Sequence, residues 1–334
     1  MKPRIGILTF ARDAHGWAVK ERIEQRHRAQ VHVIGVDRLA SAAGLSWSAA
    51  ADDDATLPAV SGERVPVAEL GALWDRRVDV APQVVPGGLE DVDLQELVDK
   101  DCGVALDGVL ASEFQGRWVS PPDATRAARN KLLQLRVAAC AGLRVPRTLV
   151  SQDPEEVREF CRRLDQRVIV RVPRGMGIGA TAPPVDRDLL AQDDFIRLAP
   201  TIYQEQIPGT RHVRVHCFGH RMIAVLLDTE TSDWGMSLNQ PVARHRLDPQ
   251  TAEKLRLVLA TLRLRMAVIE LKLDAHGEPI WLELNPQGQF LWLEGLAAAP
   301  ILDSFCDFLV AEARFPEVTR RSSHRDVRHP ATSA

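Results

Sequence analysis

The sequence predicts an α/β (α+β) protein of two or three lobes, on the strength of three observations. The chain opens with two short β-branched runs that flank a helix-length segment, which is a β-α-β pattern. Two hairpin signatures lie far downstream and have helical segments between them. At 334 residues, the chain also exceeds the roughly 250 to 300 residues at which a single core stops growing.

The opening strands are Arg4 to Phe10 and Val31 to Val36, with a helix from about Gly16 to Arg28. Asp52 to Gly62 mixes acids, proline and glycine and reads as a loop. Ala72-Leu73-Trp74 is a further strand running into Asp75-Arg76-Arg77, and an amphipathic helix lies between Pro82 and Gly116. One helix starts at Pro122-Asp123 with Asp123 as N-cap, passes through Lys131, Leu132, Leu135 and Ala138, and stops at Gly142. A strand begins at Val145-Pro146. Asp153-Pro154-Glu155 starts another helix, followed by the strand Arg167 to Val172 and the glycine-rich run Arg174 to Ala180. The strands Val213 to Cys217 and Met222 to Leu227 turn at Phe218-Gly219-His220-Arg221. A helix covers about Pro249 to Leu262, and Val268 to Leu273 and Pro279 to Leu284 form the second hairpin, turning at Ala275-His276-Gly277. The last helix, about Ala299 to Ala313, is apolar on one face, and Thr319 to Ala334 is polar, basic and reads as disordered.

With 45% hydrophobic and 26% charged residues, the composition is that of a globular enzyme. A net charge of -3 gives no global argument for nucleic acid or an anionic membrane. The five cysteines, Cys102, Cys140, Cys161, Cys217 and Cys306, include no C-x-x-C pair, which argues against a zinc site or a disulfide framework and for reduced thiols. No apolar h-region and no apolar run of about 18 residues is present, so the sequence reads as cytoplasmic, without a membrane partner.

The sharpest constellation is Glu270, Glu283 and Asn285. In a hairpin with alternating side chains, Glu283 and Asn285 share a face and Glu270 on the partner strand meets them. Hard oxygen donors of this kind suit magnesium on a nucleotide, with phosphate oxygens and water completing the octahedron. Spacing alone leaves equal room for ordinary solvent-facing residues.

The surrounding run, Ile280 to Glu294, narrows the choice. Glu283-Leu284-Asn285-Pro286 resembles the metal-binding end of ATP-grasp enzymes, and Gly288-Gln289-Phe290-Leu291-Trp292-Leu293-Glu294 resembles the continuation found in graspetide synthetases, the microviridin-type peptide maturases. Other matches follow in the family's order: Leu8-Thr9-Phe10 with Asp13-Ala14-His15, Trp74-Asp75-Arg76-Arg77, Trp118-Val119-Ser120-Pro121, Lys131, Gln134-Leu135, Gly142 to Pro146, Tyr203 to Ile207, Val213-Arg214-Val215 and Asp233-Trp234.

The resemblance implies a three-lobed ATP-grasp fold: an N-terminal pre-ATP-grasp α/β domain (1–120), a central lobe with a glycine-rich clamp (121–205) and a C-terminal lobe with the metal hairpin (206–318), ahead of the tail 319–334. It implies ATP and Mg2+ as cofactors, with Lys131, Arg171 and the clamp glycines Gly175, Gly177 and Gly179 at the phosphates, and Gln204, Glu205, Gln206 and Ile207 at the adenine. Glu270, Glu283 and Asn285 would be the metal ligands and Arg214, with Arg171, the catalytic cations. Arg76 and Arg77 would serve the substrate cleft or lobe packing, and Asp233 and Trp234 the substrate. The implied partner is a ribosomal precursor peptide of leader and core, and a homodimer is implied as well.

Several positions depart from the family's pattern. Arg171 stands for its usual lysine, Glu270 for its aspartate, Gly235 for the arginine of Asp-Trp-Arg, and His212 for an acid. Two further functions fit the same motifs: a ligase adding an amino acid or amine to a peptide or protein carboxylate, and a non-catalytic peptide-binding descendant of such a ligase.

Overall fold

The computed structural model describes residues 2–40, 44–49, 55–76, 84–85, 88–171, 183–229, 241–297 and 299–314. The first lobe holds β1 (Arg4–Thr9), α1 (Ala14–Arg26), β2 (Gln30–Gly35), β3 (Thr56–Pro58), β4 (Arg64–Pro66), β5 (Ala72–Asp75), α2 (Val92–Glu113) and β6 (Arg117–Val119). Four of these strands form a parallel sheet in the order β2-β1-β5-β6. The segment expected to be a loop includes β3, which pairs with β4 in a small hairpin. Leu57 and Val65 face each other across it, both fully buried, so apolar burial overrides the local proline and acids.

The helix expected from Pro122 to Gly142 is two helices, α3 (Pro122–Ala128) and α4 (Lys131–Cys140). The break comes from Asn130, whose side chain accepts from Leu132 N at 3.0 Å and Leu133 N at 3.1 Å and so caps a new helix. The expected cap Asp123 instead lies in the first turn of α3, behind Pro121, and pairs with Arg263. Gly142, at φ +79°, closes α4 in the left-handed conformation that glycine adopts without strain.

The central sheet is small: β7 (Thr148–Ser151), α5 (Pro154–Arg163), β8 (Val168–Arg171), α6 (Arg187–Leu190), α7 (Asp193–Leu198) and β9 (Thr201–Glu205), with strand order β7-β9-β8. The last sheet contains β10 (Arg211–Phe218), β11 (Arg221–Asp228), β12 (Val242–His245), β13 (Met266–Leu273) and β14 (Pro279–Asn285), in the antiparallel order β12-β11-β10-β13-β14. Helix α8 (Pro249–Thr261) precedes β13; α9 (Leu291–Glu294) and α10 (Ile301–Arg314) follow β14.

Alternation along these strands decides where the site can be. Val213, Val215, Ile269, Leu271 and Trp281 pack beneath the sheet against Leu255 and Val258 of α8 and Ala124, Val137 and Ala138 of α3 and α4. The helices of residues 122–140 therefore pack on the five-stranded sheet. On the opposite face, Phe218, Val225 and Leu227 join Ile5, Ile7, Val19 and Ile23 of the first lobe, with Ile301, Phe305 and Leu309 of α10 wedged into the same core. At about 1.5 to 3 kcal/mol per fully buried large side chain, this joint is a main source of cohesion between the lobes.

Candidate active site

The polar part of the upper face begins where that core ends. Strand register sets Arg214 opposite Glu270 and Glu270 opposite Glu283. Directly opposed residues of antiparallel strands share a face, so the three form one row across β10, β13 and β14. The register shifts at Glu270/Leu271, so that Glu270 pairs Glu283 while Leu271 pairs Trp281. The extra residue, Leu282, lets Trp281 point into the core and Glu283, two positions later, point to the other side.

Cations from α4 and from the small central sheet meet this row. Lys131, the first residue of α4, donates Nζ to Glu283 Oε2 at 2.5 Å. Arg171, at the end of β8, donates one guanidinium nitrogen to the same oxygen and another to Gln204 Oε1 at 3.2 Å. Gln204 in turn donates to Thr148 Oγ1 at 3.0 Å. Arg214 donates to Glu270 Oε1 at 2.5 Å and to the Gln289 carbonyl at 3.1 Å, with its guanidinium carbon 5.7 Å from the Trp292 ring centroid. Its Nε is buried and has no hydrogen-bond partner among the described residues.

Burial raises the Glu270 carboxyl above the ordinary range even with Arg214 beside it. Burial opposes ionisation at Glu283 too, but Lys131 and Arg171 outweigh it and hold that carboxyl below its ordinary value. The two carboxylates are thus pushed apart by their neighbours, a pattern typical of functional sites. Asn285 follows on the same face, its Oδ1 accepting from Gln287 N at 3.0 Å. Among the described residues no group of three or more His, Cys, Asp or Glu side chains forms a metal-ligand cluster; the candidate set here is two carboxylates and an amide.

The remaining expected residues divide. Glu205 turns its carboxylate to Arg147, accepting from Arg147 N at 3.1 Å and Nε at 3.2 Å, while Gln206 N donates to Arg167 O at 3.0 Å and Ile207 is buried. Arg76 is buried at the joint between lobes, donating to Gln287 O at 2.8 Å with Nε 3.4 Å from Asp13 Oδ2. Arg77, Gly175, Gly177, Gly179, Asp233 and Trp234 lie outside the described residues. His212 is buried, and desolvation followed by Lys272 lowers its pKa to about 3, which keeps the imidazole neutral.

Sequence reasoning missed the anchoring of the loop after β14. His15 Nε2 accepts from Phe290 N at 3.2 Å and Leu291 N at 3.3 Å, and Gln287 and Arg129 bond each other. Contacts separated by 158 or 275 residues leave no periodic or spacing signal.

A small antiparallel sheet and a larger one, joined across charged side chains and preceded by a parallel α/β lobe, make up the ATP-grasp fold, and this chain has that fold. The macrocyclase MdnC bound with precursor peptide MdnA, from Microcystis aeruginosa MRC, superposes at TM-score 0.82 with 23% identity, covering 92% of this chain and 99% of that one. The Chryseobacterium gregarium RiPP-associated ATP-grasp ligase, in complex with ADP and a leader and core peptide, gives 0.81 at 22% identity, covering 93% and 97%. The ATP-grasp ligase PsnB with minimal precursor, Mg and ADP gives 0.74 at 23% identity, covering 92% and 97%. No family model matches the sequence. Among curated proteins, N5-carboxyaminoimidazole ribonucleotide synthase of Mycobacterium tuberculosis (strain ATCC 25618 / H37Rv) is 32% identical over 129 residues, 39% of this chain, and the match spans about a quarter (27%) of that relative's length. No helix among the described residues is long and apolar enough to cross a membrane.

Proposed function

We propose that this protein is an ATP-dependent ligase that activates a side-chain carboxylate of a ribosomal precursor peptide and closes it onto a hydroxyl or amine of the same peptide as an ester or amide. The observation that carries this reading is the Arg214, Glu270 and Glu283 row met by Lys131 and Arg171 from two other elements. Two adjacent carboxylates suit a hard cation, and a surplus of guanidinium and ammonium groups suits phosphate. The buried Arg214 Nε, still with donor capacity, fits an additional anionic oxygen. Likeness to structures that hold precursor peptides and ADP supports the choice of substrates.

In this reading Glu270, Glu283 and Asn285 would hold magnesium, with the Asn285 oxygen oriented by Gln287 N. When bound, magnesium would neutralise charge on the phosphates of ATP, the donor of the phosphoryl group. Lys131 and Arg171 would exchange Glu283 for phosphate oxygens, with Gly175, Gly177 and Gly179 assigned to the phosphates and Gln204 to Ile207 to the adenine by resemblance. The peptide carboxylate takes the terminal phosphoryl, releasing ADP. Arg214 steadies the acyl phosphate until the hydroxyl or amine attacks the carbonyl, expelling phosphate as the nucleophile loses its proton. Arg77, Asp233 and Trp234 would belong to the peptide side, whereas Arg76, buried against Gln287 and Asp13, serves lobe packing.

The test is incubation with the peptide encoded by the neighbouring reading frame, ATP and Mg2+, followed by intact mass. One water lost and one ADP formed per ring is the expected result. Release of AMP and pyrophosphate would overturn the acyl-phosphate route.

A further inference from the structure

The loop that follows the candidate ligands is tied to the rest of the protein at several points, with Gln287 at the centre of them. Gln287 is only 9% exposed. Its backbone N–H donates to Asn285 Oδ1 at 3.0 Å, and its carbonyl accepts from Arg76 at 2.8 Å. Its Nε2 donates to the Asp75 carbonyl at 3.0 Å and to Asp75 Oδ1 at 2.7 Å, while its Oε1 accepts from Arg129. Every polar group of the residue is used. Arg129 stands just before the cap of the helix that begins with Lys131, and Asp75 ends a strand of the first lobe.

The neighbours lock the same loop. A Cβ on Gly288 would overlap the Val268 side chain on β13, and the next carbonyl, that of Gln289, holds Arg214. Gln287 therefore sits at the point where the first lobe, the start of the Lys131 helix and the end of the ligand strand meet. The cost of burying its amide is offset by partners on all sides, and those partners belong to two different parts of the protein.

We infer that Gln287 is a positioning residue for the metal–nucleotide site: through its own backbone it aims the Asn285 oxygen, and through Arg129 and Asp75 it fixes the Lys131 helix against the Glu270–Glu283 pair. The inference rests on the magnesium–ATP reading above. Groups that orient metal ligands from behind typically change metal affinity by 10- to 100-fold when lost.

The test uses the full chain, with ADP as probe, titrated calorimetrically across Mg2+ concentrations and in EDTA, and with the thermal midpoint recorded. In Gln287→Leu the Mg2+ concentration needed for half-maximal tightening of ADP rises by about 10- to 100-fold, while affinity in EDTA changes little. Arg129→Leu, a substitution at a half-buried helix end that spares the Asp75 bonds, moves the Mg2+ requirement the same way by less, and it decides the matter alone if Gln287→Leu does not fold. A lowered midpoint with an unchanged Mg2+ requirement in both variants would reduce Gln287 to a packing residue and overturn the inference. Wild-type ADP binding indifferent to Mg2+ would instead sink the nucleotide reading itself.

Discussion

Replacing Arg171 by alanine separates the two partners this side chain serves. In the structure it bonds Glu283 and Gln204 and is only 20% exposed at its side chain. A charge-assisted bond from its guanidinium to a phosphate oxygen contributes about 1.5 to 3 kcal/mol. Part of that is offset, because Arg171 must first leave Glu283, the carboxylate it shares with Lys131. The net expectation is a loss of about 1 to 2 kcal/mol, or roughly 5- to 30-fold weaker ATP binding. Arg171→Lys keeps the charge but not the planar fork and should lose only about threefold. Calorimetric titration of ATP with Mg2+ reads both variants, and circular dichroism checks the fold. Unchanged affinity in Arg171→Ala would remove Arg171 from the phosphates and favour a degenerate binding protein.

Glu283→Gln should abolish turnover yet bind metal-free ATP more tightly than wild type, because Lys131 and Arg171 lose the carboxylate that competes for them; weaker binding in EDTA would contradict that exchange of partners. His212 and His216 are both buried with pKa lowered from 6.5 to about 3, chiefly by desolvation. Between those values the unfolded chain takes up protons that the folded chain refuses, so stability is full above 6.5 and falls as pH drops. At pH 5 the loss is roughly 2 kcal/mol for each histidine, and urea midpoints at pH 7 and pH 5 that coincide would show that neither stays neutral. Gly288→Ala should destabilise the protein by about 1 to 3 kcal/mol through overlap with Val268 and should also disturb Arg214 through Gln289; a thermal midpoint equal to wild type would mean the loop relaxes freely.

The opening strands, both long hairpins and the acidic pair were legible because each rests on local period and turn chemistry, as at Gly219 and Gly277, both at positive φ. The break at Asn130 carries its own signal, a capping residue between Arg129 and Lys131, but the longer helical pattern on either side masks it. The register shift that separates Trp281 from Glu283 was not legible, since strict alternation puts residues 281 and 283 on one face and only burial of the indole decides otherwise. Nor could Gln287 be read, because its partners Asp75 and Arg129 lie 212 and 158 residues away and are brought together only by the packing of whole lobes.

Helix α10 lies against the strands that begin the chain: Phe305 meets Trp74 with ring centroids 4.6 Å apart, and Ala313 backs so closely on Gly71 that no side chain fits between them. Order of synthesis and order of completion are therefore opposed. Ile5, Ile7 and Trp74 emerge from the ribosome early, but the helix that completes their cover begins about 230 to 300 residues later. At about 5 to 20 residues per second this is roughly 10 to 60 s in which the apolar face of the first lobe lacks its full cover. A chain stalled before Ile301 would thus lack the end of its last lobe and also leave its first lobe open, as a client for chaperones or a seed for aggregation.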